Sequence, residues 1–183
     1  MSNLLTTTEY QAIAKDLSFP QSAFIDGKYR VGHGTVFASI NPANGDTLTE
    51  IVSCDKSDVD FAVTKAREVF DQGHWAKLNP SERKSIMIRL CKLITRNSRE
   101  LAVMESIDSG KPILDCETID IPETIETIKW HAELIDKVYD QTAPAQDDAI
   151  SMIVREPVGV VAAILPWNFP LLRQFICQFS NRP

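Results

Sequence analysis

The sequence has no apolar run long enough to cross a bilayer as a helix. The longest, Pro157 to Trp167, falls well short of the ~20 residues such a span needs. It has no surplus of positive charge either: 19 Lys+Arg stand against 25 Asp+Glu, a net charge of -6. An acidic chain with no basic stripe repels a phosphate backbone, so neither a membrane nor a nucleic-acid partner is expected. The opening residues, Met1 to Asp16, lack the basic start and apolar core of a signal peptide. Cysteine is sparse and scattered. Cys54, Cys91, Cys116 and Cys177 are too far apart for a local metal knuckle, and buried free thiols in a reducing cytoplasm are the expectation. His33 and His74 lie in turn-like sequence with no neighbouring ligand, so no metal is expected. Repeats and low-complexity tracts are absent.

What is present is the balance of a soluble globular chain: 183 residues, 44% hydrophobic and 24% charged, long enough for one domain with a real core. Residues up to Ser22 carry no firm pattern and read as a loose arm or a short helix. Asp26-Gly27, between Phe24-Ile25 and Lys28-Tyr29, is a tight-hairpin signal, because both central residues of such a turn need positive φ. Val36 to Ile40 and Thr47 to Val52 form a second strand pair around Asn41-Pro42-Ala43-Asn44-Gly45.

Helical periodicity follows. Ser57 is placed to cap a helix with the stripe Ala62, Val63, Ala66, Val69 and Phe70, ending at Gly73. Asn79-Pro80-Ser81-Glu82 starts a second, with Ile86, Leu90, Leu93 and Ile94 facing a core. A third carries Leu101, Met104 and Ile107 and stops at Gly110-Lys111-Pro112. A fourth begins near Pro122 and buries Ile125, Ile128, Ala132, Ile135 and Tyr139. A polar linker, Gln141 to Asp148, leads to a strand at Ile150 to Val154. Val158 to Leu165 then reads as a strand buried on both faces, the kind found in parallel sheets flanked by helices. Pro166-Trp167-Asn168-Phe169-Pro170 ends it.

That last block, led by Arg155-Glu156-Pro157-Val158-Gly159-Val160, resembles the aldehyde dehydrogenase superfamily. Phe24-Ile25-Asp26-Gly27, Asn41-Pro42-Ala43-Asn44-Gly45, Asp108-Ser109-Gly110-Lys111-Pro112 and Trp130-His131-Ala132 fall in the same family's order, so the resemblance covers roughly residues 20 to 172. Ile135 to Tyr139 and Ile153 to Pro157 look most like its γ-glutamyl-γ-aminobutyraldehyde dehydrogenase branch. The resemblance implies an α/β fold, of which this is the amino-terminal part: β-hairpins, a helical layer, an oligomerisation arm and the first strand of a Rossmann-like sheet. On that basis the chain divides into an arm (1–22), hairpins and helices (23–140), linker and arm strand (141–157), buried strand with the PWNFP block (158–172), and tail (173–183).

The resemblance also implies roles. Asn168 would donate its amide to the substrate oxygen as it becomes an oxyanion, a contribution of about 3–4 kcal/mol to a transition state. Ile164, Leu165, Pro166 and Trp167 would run along a bound NAD or NADP, and Phe169 would line the aldehyde's path. The alternative is that Trp167 and Phe169 are core aromatics and Asn168 caps the next helix. Asp120 and Glu123, three apart, would share a helix face and attract the cationic tail of an amino-aldehyde; equally, acids in a first turn complement the helix dipole.

After Leu172 the family pattern stops. Arg173 and Gln174 stand where an apolar helix is expected, and the family's catalytic cysteine, general-base glutamate, ribose-holding lysine and glycine-rich cofactor turn have no counterpart. The expectation is an incomplete, inactive part of an oxidoreductase whose full-length form is a cytoplasmic dimer or tetramer, joined through Ile150 to Glu156. A non-catalytic form that associates with full-length subunits, or the product of a shifted reading frame, are the alternatives.

Overall fold

The computed structural model describes residues 4–179, with side chains to residue 175. The amino-terminal stretch is helical: α1 spans Thr7–Asp16. Thr6 caps it, and the Glu9 carboxylate accepts from the Thr6 N–H at 2.8 Å in return. The Tyr10 hydroxyl donates to Glu117 at 2.5 Å, which ties α1 to the helical layer.

Both hairpins form where turn chemistry places them. β1 (Ala23–Ile25) pairs antiparallel with β2 (Lys28–Arg30) across Asp26 and Gly27, at φ 56 and 72. β3 (Val36–Ile40) pairs with β4 (Thr47–Val52). α2 (Lys56–Gln72) follows and closes on Gly73 in the left-handed conformation. Its cap is Asp55 rather than Ser57: the Asp55 carboxylate accepts from the N–H groups of Ser57 and Asp58 at 2.7 and 3.1 Å. The stripe expected to be buried on α2 is largely uncovered, with Val63 and Val69 exposed, because no described element packs over that face.

The core lies in the layer α3 (Pro80–Arg96), α4 (Ser98–Ser109) and α6 (Ile121–Leu134), closed by α7 (Pro170–Phe179). Met87, Cys91 and Ile94 meet Ala102, Ile128, Ala132 and Phe175. On α3 the expected stripe is half right: Ile94 is buried and Leu90 packs against the core, whereas Ile86 and Leu93 are exposed and Met87 and Cys91 take core positions instead. α4 ends at Gly110 (φ 77) as expected. The next helix starts earlier than Pro122. One turn, α5 (Ile113–Asp115), runs into a π-helical turn, Cys116–Asp120, and on into α6 without a break. α6 ends at Leu134, so Tyr139 lies beyond it and is exposed rather than buried.

The linker is in part a strand: β5 (Gln141–Ala143) pairs with β6 (Ser151–Ile153). The larger departure is Val158 to Leu165, which forms no strand. A strand exists only where a neighbour completes its hydrogen-bond ladder, and the described residues supply none beside this segment. Its apolar side chains are consequently open to solvent, with Ile164 98% exposed. The tail, by contrast, folds as a helix to residue 179. Leu172 and Phe175 bury and Gln174 is exposed, whereas Arg173 is half-buried with its guanidinium 5.8 Å from the Phe169 ring centroid. The expectation for Cys177 and for residues 180–183 lies outside the described side chains. Among the described residues, no helix is long and apolar enough to cross a membrane.

Candidate functional site

Pro166 to Phe169 form a turn that hands the chain to α7. Pro170 opens that helix, where its missing N–H costs nothing. The first helical bond runs from the Arg173 N–H to the Phe169 carbonyl at 2.9 Å. Phe169 therefore occupies the capping position, and Asn168 stands one residue before it with its side chain exposed. Trp167 is exposed as well, and Ile164, Leu165 and Pro166 continue the open strip behind it.

Phe169 alone in the turn faces inward. The Lys111 ammonium sits 3.5 Å from its ring centroid. Lys111 lies immediately after the Gly110 cap, and its Nζ is 2.5 Å from Asp120 Oδ2 and 3.9 Å from Glu105 Oε1. Asp120 is 2% exposed, at the end of the π turn, and Glu105 is buried on α4. Burial, and then the charge of Asp120, push the Glu105 carboxyl up to about 7. Burial, reinforced by both carboxylates, pushes the neighbouring Cys116 thiol up to about 12, which makes it a poor nucleophile.

The two acids singled out from the sequence do not act as a pair. Asp120 turns inward to Lys111, whereas Glu123 is exposed on α6. Asp120 lies on the face that buries Ile121, Thr124 and Ile128, and Glu123 falls just off that face. Lys111 and Glu105 were not singled out. Glu105 had a detectable signal: it lies three and four residues after Ala102 and Leu101, inside an apolar stripe, where an acid needs a partner.

A second polar group gathers on the hairpin side. The His33 ring Nδ1 is 2.6 Å from Asp58, and His33, Asp55 and Asp58 lie within 4.8 Å of one another. Spacing along the chain shows no partner for His33; the helix cap brings two. Asp55 and Asp58 already serve the start of α2, and Asp58 also holds the backbone N–H and the ring of His33, so capping explains the group. The described cysteines are free, with Cys91 and Cys116 buried and Cys54 exposed, contrary to its expected burial.

Residues 29–175 match the aldehyde dehydrogenase family. The chain belongs to that family. It is 54% identical over 173 residues to an aminoacetaldehyde dehydrogenase of Pseudomonas aeruginosa, covering 94% of this chain and 35% of the relative. It is 40% identical to an NADP/NAD-dependent aldehyde dehydrogenase of Escherichia coli, covering 89% of this chain and 33% of that one. Among solved structures, an indole-3-acetaldehyde dehydrogenase variant of P. syringae in complex with NAD+ and IAA superposes with a TM-score of 0.91 at 43% identity, over 94% of this chain and 35% of that one. A γ-glutamyl-γ-aminobutyraldehyde dehydrogenase from Burkholderia cenocepacia gives 0.90 at 42%, over 93% and 35%. This aldehyde dehydrogenase chain thus spans about a third of the length of the relatives it matches.

Proposed function

We propose that this chain supplies one wall of an NAD(P)-dependent aldehyde dehydrogenase active site, with Asn168 as the side-chain donor to the substrate oxygen. The observation that carries the reading is the Asn168 side chain, exposed in a proline-bracketed turn and displaced from the capping position. An uncharged amide held this way can meet an oxygen that gains negative charge without first breaking a bond to the protein. Phe169 would border the aldehyde. Glu123, open on α6, would attract the ammonium of an amino-aldehyde; Asp120 would reach that substrate only through Lys111, with which it is already paired.

The Ile164–Trp167 strip suits one side of a dinucleotide: it is apolar, open and free of charged side chains, fit for ring contact and without a phosphate ligand of its own. When bound, the oxidised nicotinamide would accept the hydride. This chain's residues would orient the aldehyde, steady its oxygen and keep water from one face. The substrate class is supported by the 54% identity to the aminoacetaldehyde enzyme. We further propose assembly as a homo-oligomer through the Ile150 to Glu156 arm, since Ile150, Met152, Ile153 and Val154 in and beside β6 are all exposed, and β6 pairs on one side with β5. The location would be cytoplasmic, where thiols such as Cys91 and Cys116 stay reduced.

The test is a chimera in which this chain replaces the matching segment of the P. aeruginosa relative, assayed by NADH formation from aminoacetaldehyde. Asn168→Ala is expected to lower kcat by about 10²–10³ with a small change in KM. A kcat within about tenfold of the parent chimera would overturn the assignment of Asn168.

A further inference from the structure

We propose that Lys111 is a positioning residue for Asn168: its ammonium, held by the buried Asp120 and Glu105, clamps the Phe169 ring and so fixes the pose of the Pro166–Pro170 turn. Its importance for catalysis rests on the reading of Asn168 given above, but the clamp itself does not.

The turn needs such an anchor. Trp167 and Asn168 are exposed, and Phe169 is the turn residue that reaches inward. A cation 3.5 Å from a ring centroid is well within cation–π range, and partial desolvation strengthens the attraction. Arg173 approaches the same ring only at 5.8 Å. Lys111 is itself held from several sides. Its carbonyl accepts from the Ser106 hydroxyl at 2.6 Å, and its ammonium meets Asp120 at 2.5 Å. Gly110, just before it, adopts φ +77, and the Pro42 ring stands where a Cβ would reach.

Asp120 is equally fixed. Its carbonyl accepts from the buried Thr124 hydroxyl at 2.7 Å. The π turn carries Asp120 to the interior beside Cys116, from which Lys111 can reach it. Neither Glu105 oxygen has a hydrogen-bond partner, although both are buried. A carboxyl in that position is tolerated because the Lys111 ammonium lies 3.9 Å away. Carboxylates from two elements, α4 and the π turn, therefore converge on one ammonium, and another of its faces meets the ring of the residue that follows Asn168.

The test is nuclear magnetic resonance on this chain, labelled with ¹³C at the lysine ε-carbons and uniformly with ¹⁵N. A ring above the ammonium shields the Lys111 ε-protons, so they are expected upfield of those of the exposed Lys56 and Lys137. Phe169→Leu should return them to the ordinary position and shift the Asn168 side-chain amide; Phe169→Tyr, which keeps a ring, should restore both. Lys111→Met and Asp120→Asn should shift the Asn168 amide in the same direction as Phe169→Leu. Should either core variant fail to fold, the Phe169 pair still decides, since that side chain is only half-buried. Unshielded Lys111 ε-protons in the parent, or an Asn168 amide indifferent to Phe169→Leu, would overturn the clamp. No turnover is measured, so this result stands apart from the chimera assay, and the failure of one leaves the other intact.

Discussion

Two isoleucines separate the packed part of this chain from the unpacked part. Ile128 is 0% exposed in the α3–α6–α7 core and Ile164 is 98% exposed in the segment before the turn. Truncation to alanine removes the same three carbons from each. At Ile128 the lost transfer free energy is about 0.8 kcal/mol per carbon, or about 2.4 kcal/mol. The space left behind adds about 24 cal/mol per Å³ of unrelaxed cavity, which brings the expected loss to about 3–4 kcal/mol. In a chain of this size that lowers Tm by roughly 6–16 °C. At Ile164 nothing is uncovered, and the change should stay within about 0.5 kcal/mol. Urea unfolding followed by circular dichroism reads both, provided each variant is measured at several protein concentrations. If the Val158–Leu165 strip drives self-association, Ile164→Ala loses stability only at the higher concentrations. Equal losses for the two variants at low concentration would refute the argument, because they would mean that the strip is packed within a single chain.

Gly110→Ala places a Cβ 2.7 Å from Pro42 Cγ at φ +77, whereas Gly45→Ala meets nothing within 4 Å at φ +80. Both carry the left-handed penalty of roughly 1–2 kcal/mol, so urea unfolding should show the larger loss at Gly110, and equal losses would exclude the Pro42 contact. Glu105→Gln should alter how stability varies with pH. Burial pushes the folded-state carboxyl up from its ordinary 4.5 to about 7, so the folded chain holds the extra proton between those values, and stability falls as pH rises through that window. The glutamine variant should lack this fall, and an unchanged melting profile from pH 4.5 to 7 would contradict the burial of Glu105. Site-resolved alkylation of the native chain should modify Cys54 and spare Cys91 and Cys116, with protection lost in denaturant. Rapid labelling of Cys116 would be inconsistent with its buried place in the π turn.

Local chemistry made much of the fold legible in advance. Asp26-Gly27, Asn79-Pro80 and Gly110 act through φ preferences and missing N–H groups confined to a few residues, and each turn or helix end formed where those preferences put it. Burial was less legible because it depends on a partner surface. The α2 stripe has the right period and no described cover; on α3 two adjacent faces are both apolar, and packing against α6 chose the one with Cys91. Val158 to Leu165 is the clearest case. Its composition suits a sheet interior, yet composition cannot supply a ladder, and without a neighbouring strand the segment remains extended and bare.

The site divides along the same line. Asn168 and its prolines could be found as a contiguous block, because the turn is built by residues next to one another. The acids could not be sorted that way: spacing put Asp120 and Glu123 on one face, and packing buried Asp120 beside Lys111 and left Glu123 outside the covered stripe. The covered edge of that face depends on Lys111 and α4, which local spacing does not show. A turn that leaves the Asn168 amide exposed gains order from a charge buried behind it, and the buried charge is tolerable because Asp120 and Lys111 meet at 2.5 Å. Removal of either partner should therefore be felt first at the turn, which has few contacts of its own, and only then in the helical core.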